Sequence, residues 1–76
     1  MKIYILTDCA AGRNYTPAVF KTRKEAQKTM MQWYKNYIRN NPEAVMESNI
    51  YNDYAEIIYV DDSYNRLEIF EIELED

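Results

Sequence analysis

The chain has no histidine, one cysteine, one glycine and two prolines in 76 residues. Without histidine it lacks the commonest general base and the Cys/His sets that hold structural zinc. The lone Cys9 excludes an intramolecular disulfide and fits a reducing compartment. Its neighbour Asp8 disfavours the thiolate that a nucleophile needs, so Cys9 is expected to be a small half-buried filler. The single Gly12, beside Arg13, cannot supply the repeated close backbone approaches of a phosphate-binding loop. Apolar runs reach four residues at most, which leaves neither a membrane span nor a secretory apolar stretch after Met1. The expected location is cytoplasmic.

What is present argues for a folded domain. Apolar residues make up 47% of the chain and eight are tyrosines, too much for a disordered segment even with 29% charged residues. The length fits a single domain spanning residues 1–76, which on folding buries only about 60–65% of its chain surface. It should fold alone or as a homodimer.

One helix, Thr22 to Asn40, organises the rest. Thr22 and Glu25 form a capping box, in which the threonine oxygen accepts from a first-turn N–H and the glutamate reaches back to the cap. Good helix formers follow without Gly or Pro, and Pro42 biases Asn41 away from helical backbone. At 100° per residue, Ala26, Met30, Trp33, Tyr34 and Tyr37 share one face. Lys24, Lys28, Lys35 and Arg39 lie opposite as a basic stripe.

Around this helix, Lys2–Thr7 is apolar on both faces and predicts a central strand. Asp8–Thr16, with Gly12 and the turn former Asn14, predicts a loop. Pro17–Phe20 fits a short edge strand, since proline is tolerated at a first position. Asn41-Pro42-Glu43 repeats helix-start grammar and predicts a short second helix over Pro42–Ser48. After a polar connection over Asn49–Asp53, Tyr54–Val60 and Arg66–Leu74 read as a hairpin closed by the turn cluster Asp61–Asn65. Leu67 and Ile69 fall on one face of the last strand, whereas Phe70, Ile72 and Leu74 fall on the other. A bulge near Ile69 would correct that slip; without it, one apolar set is left for a partner. The expected fold is α+β and two-layered: an antiparallel sheet of three or four strands with the long amphipathic helix packed on one face.

Charge is ordered along the chain. Residues 1–42 carry eight Lys/Arg against two Asp/Glu, whereas residues 43–76 carry one against eleven, for a net of −4. Part of this charge is expected to pair off at the surface, where such pairs contribute about 0–1 kcal/mol each. In the acidic half, Glu71, Glu73 and Glu75 recur every second residue, so in a regular strand their carboxylates form a ladder about 6.8 Å apart. With Asp61, Asp62 and Tyr64 at the hairpin turn, they make an acidic, tyrosine-rich surface suited to a protein partner whose own surface is basic. A groove built for nucleic-acid phosphates is one such surface, and an acidic ladder would compete for it. The alternative is a nucleic-acid-binding module using Arg23, Lys24, Lys28, Lys35 and Arg39. Net negative charge and the absence of aromatics on the stripe disfavour nucleic acid as partner. A further alternative is a structural or dimerising domain of no specific activity. No catalytic residue, cofactor site or metal site is expected; Asp61-Asp62 beside Ser63 reads as turn chemistry before a Mg²⁺ site.

The stretch AVFKTRKEAQK, an apolar pair running into a capped helix, resembles a pattern in small acidic proteins of bacterial mobile elements and phage. The acidic ending resembles theirs as well. Such proteins include inhibitors of the anti-CRISPR type, so the resemblance implies action by binding and not by chemistry, and it carries over no individual residue.

Overall fold

The start of the long helix shows local sequence dictating geometry. In the computed structural model, which describes residues 1–10, 13–14 and 17–75, α1 runs Arg23–Asn40. Thr22 is extended, and its hydroxyl oxygen accepts from the Glu25 N–H at 3.2 Å. At the other end the Asn41 N–H donates to the Tyr37 carbonyl at 3.3 Å before Pro42 forbids another turn. Ala26 and Met30 are buried, with Trp33, Tyr34 and Tyr37 packed at the border of the core. Lys24, Lys28, Lys35 and Arg39 are exposed, as the periodicity requires.

The sheet is antiparallel throughout and holds more strands than the three or four expected. It comprises β1 (Lys2–Ala10), β2 (Arg13–Asn14), β3 (Ala18–Phe20), β4 (Val45–Ile50), β5 (Tyr54–Tyr59) and β6 (Tyr64–Glu73). At its centre β6 lies between β1 and β5, and β4 flanks β5. The short β2 and β3 share the outer side of β1, β3 against Tyr4–Leu6 and β2 against Cys9–Ala10. The expected edge strand is present as Ala18–Phe20, with Pro17 just before it.

Three expectations are corrected. The first strand does not stop at Thr7, because β6 is long enough to pair Asp8 with Leu67, Cys9 with Arg66 and Ala10 with Asn65. Gly12, expected within that loop, lies outside the described residues. Pro42–Ser48 is not a helix: Asn41–Ala44 is a turn closed by the Ala44 N–H to the Asn41 carbonyl at 3.1 Å, and Val45 then opens β4. A helix this short nucleates poorly, whereas a strand here satisfies the outer N–H and C=O groups of β5. Finally, β6 has no bulge: its ladder with β1 keeps register through Ile69 and Phe70, and its ladder with β5 is regular to its end at Glu68. The register shift lies instead between Val45 and Glu47 of β4, where Met46 is extruded into solvent.

The core sits between α1 and one sheet face. Leu6, Ala55, Leu67 and Ile69 alternate onto that face and cluster with Ala26 and Met30, and Ile57 is buried on the same face. Nothing in the described chain covers the other sheet face.

Candidate interaction site on the last strand

An unbulged β6 must change polarity along its length. Up to Ile69 its apolar side chains, Leu67 and Ile69, point to the helix, while Arg66 and Glu68 point away. Beyond Ile69 the order reverses: Glu71 and Glu73 take the helix side, and Phe70 and Ile72, followed by Leu74, take the open side. Phe70, Ile72 and Leu74 are 46%, 39% and 41% exposed.

The neighbouring strand adds apolar side chains to the open face at the same level. Ile3 and Ile5 of β1 pair with Ile72 and Phe70 on the open side, while Lys2 and Tyr4 pair with Glu73 and Glu71 on the helix side. Val19 of β3, opposite Ile5, adds a side chain 61% exposed. One end of the sheet thus carries a contiguous apolar surface on the face that no helix covers.

The carboxylates on the helix side are partly engaged. Glu71 Oε1 accepts from the Tyr4 hydroxyl at 3.0 Å and lies 3.6 Å from Arg23 Nη2 and 3.8 Å from Lys2 Nζ. Arg23 also reaches Asp53 at 2.5 Å and sits 5.4 Å over the Tyr4 ring; the Asp53 hydrogen bond raises its pKa further. Glu73 meets the Met1 amino group at 3.3 Å. Glu75, past the strand end, has no ion pair among the described residues. These pairs are exposed, hence weak and exchangeable with cations from outside. Arg23 is also drawn out of the basic stripe, leaving Lys24, Lys28, Lys35 and Arg39 as its exposed members.

Asp61, Asp62 and Tyr64 lie at the opposite end of β6. Asp61 Oδ1 accepts from the Ser63 N–H at 3.0 Å and the Ser63 hydroxyl at 2.5 Å, which holds this carboxyl below its usual range. Asp62 takes a φ of 70°, the left-handed conformation that a short hairpin loop needs. Tyr64 is not at the tip of the turn. It opens β6, half-buried, opposite Ile58, with the Arg66 guanidinium 5.2 Å from its ring. Beside this turn is an open concavity of about 560 Å³, lined among others by Tyr37, Tyr59, Asp61, Tyr64 and Asn65. The Tyr59 hydroxyl donates to Asn65 Oδ1 at 2.6 Å, and burial, then the nearby Asp8 charge, pushes the Tyr59 pKa up.

The six expected site residues therefore form two groups. Tyr64 and Glu73 are separated by a ten-residue strand, about 30 Å at 3.3 Å per residue, and they point to opposite faces. Of the expected glutamate row only Glu71 and Glu73 lie in β6, Glu75 falling past its end, and sequence reasoning missed Ile3, Ile5 and Val19 on the opposite face and Asp8, Tyr37 and Asn65 near the turn. Alternation through Tyr4, Leu6 and Asp8 was the signal that would have put Asp8 on the helix side. Among the described residues, no cluster of three or more His, Cys, Asp or Glu is placed to hold a metal ion, and no helix is long and apolar enough to cross a membrane. The chain matches no protein-family profile, no curated protein and no solved structure.

Proposed function

We propose that this is a small non-catalytic interaction protein that binds the basic surface of a partner protein through the acidic, apolar end of β6. One observation carries the reading: β6 inverts its polarity beyond Ile69, and there Phe70 and Ile72 join Ile3 and Ile5 of β1 in an apolar patch on the uncovered face while the helix side of β6 turns acidic. Isolated exposed apolar residues are ordinary, but a contiguous apolar patch shared by paired strands on an uncovered face marks a surface suited to being covered by a partner. Glu71 and Glu73, on the opposite face of the same strand end, and Glu75 just beyond it select for a cationic surface and steer its approach. A surface shaped for nucleic-acid phosphates meets both requirements, which makes the protein an inhibitor by occupancy. Asp61, Asp62 and Tyr64, at the far end of the strand, form a separate and secondary contact region.

The test is affinity capture from the native host at low and moderate salt, followed by binding kinetics with the purified partner. Glu71, Glu73 and Glu75 changed together to Gln should slow association and flatten its salt dependence. Phe70→Ser with Ile72→Ser should accelerate dissociation, measured at a temperature where thermal unfolding shows the variant still folded. Wild-type kinetics in both variants would remove this end of β6 from the function.

A further inference from the structure

The sheet is one strand short where the polarity inverts. On the side of β6 away from β1, pairing with β5 ends at Tyr54–Glu68, and the last bond runs from the Ile69 N–H to the Asp53 carbonyl at 2.9 Å. The chain then turns back toward β4, with the Tyr51 N–H on the Tyr54 carbonyl at 2.7 Å. On the other side the Leu74 N–H donates to the Met1 carbonyl at 2.7 Å, extending the pairing with β1. Backbone groups alternate sides along a strand. Ile69 faces β5 and Leu74 faces β1, so Glu71 and Glu73 direct their N–H and C=O groups to the side beyond the end of β5. No described strand pairs with them there.

We propose that residues 70–74 accept an extended segment of the partner protein as an added strand, with Lys or Arg at alternate positions and apolar residues between them. Directly opposed residues on paired strands project to the same face. Positions facing Glu71 and Glu73 therefore place cations beside those carboxylates, and positions facing Phe70, Ile72 and Leu74 extend the apolar face. Main-chain hydrogen bonds provide attachment and the alternation provides selection, the division of labour in strand-addition recognition. A second copy of this chain is a poor occupant, because self-pairing sets the Glu71 and Glu73 carboxylates of two chains against each other. This inference rests on the functional reading above.

The probe is a short blocked peptide of alternating lysine and valine, compared with a peptide of the same composition arranged in blocks. The alternating peptide should bind about tenfold tighter or more and should slow hydrogen exchange at the Glu71 and Glu73 amides. A semisynthetic protein N-methylated at Glu73 loses a donor without losing charge, and it should bind about threefold to tenfold more weakly, the loss expected for one net hydrogen bond. Equal binding of the two peptides, with unchanged exchange at both amides and loss only in the Glu71, Glu73 and Glu75 to Gln variant, would overturn strand addition and leave the acidic reading intact. Wild-type peptide binding by that triple variant would overturn both. Protection of the two amides without peptide, rising with protein concentration, would give the edge to a second copy and overturn the proposal.

Discussion

The Tyr37 hydroxyl donates to Asp8 Oδ2, tying the last turns of α1 to a carboxylate that β1 carries into the protein. Asp8 is buried, and its other oxygen has no hydrogen-bond partner among the described residues. A buried charge with few donors depends heavily on each one. Tyr37→Phe is expected to lower stability by about 1–3 kcal/mol in urea unfolding. The loss should shrink when Asp8→Asn is also present; equal losses in the two backgrounds would show that the bond contributes nothing.

Alkaline pH should weaken the fold through tyrosine. Burial and the Asp8 charge raise the Tyr59 pKa above its ordinary 10.0, and a hydrogen bond to Glu56, with burial, raises Tyr54 in the same direction. The stability contributed by neutral Tyr59 is complete below about pH 10, the unfolded value, and is lost as pH rises through the folded one. Thermal midpoints measured across this range should fall with pH. Tyr59→Phe should flatten that fall, and an unchanged slope would assign it to other groups.

The hairpin turn offers a backbone test. Asp62 holds a φ of 70°, which costs a residue with a Cβ about 1–2 kcal/mol unless its side chain is suited to it. Asp62→Gly should leave stability unchanged or raise it. Asp62→Val should lower it by about 1–2 kcal/mol, because a branched side chain clashes in this region. Equal unfolding midpoints for the two variants would contradict the assigned turn.

Duplex DNA should not bind appreciably at about 0.15 M salt. Lys24, Lys28, Lys35 and Arg39 are exposed, but Arg23 is committed to Asp53 and Glu71, and the whole chain is negative. Micromolar retention in a gel-shift assay, abolished by changing Lys28, Lys35 and Arg39 to Glu, would transfer the working surface to the helix.

The helix was legible because its evidence is local: Thr22 and Glu25 are three residues apart, and the apolar face repeats within each turn. The strand β4 was not, because Asn41-Pro42-Glu43 opens a turn as readily as a helix. What decides between them is the outer edge of β5, which lies later in the chain. The same distinction applies at the site. Alternation put Glu71 and Glu73 on one face of β6, but Arg23, Lys2 and Tyr4 reach Glu71 only through strand pairing and helix placement. The slip between Ile69 and Phe70 was read correctly as a conflict; β6 resolves it with exposed apolar side chains in place of a bulge.

The pairing of β1 with β6 also governs when this protein can acquire its fold. Every contact in that ladder, from Ala10 with Asn65 to Lys2 with Glu73, joins the beginning of the described chain to its end. During synthesis α1 and the β4–β5 hairpin emerge while the strand that joins them to β1 is still unmade. Leu6 and Met30 must wait in water for Leu67 and Ile69, and loop closure over most of the chain precedes the contacts that reward it. Folding should therefore be slow for a domain this small, delayed until β6 has emerged, and sensitive to anything that binds the apolar face of β1 first.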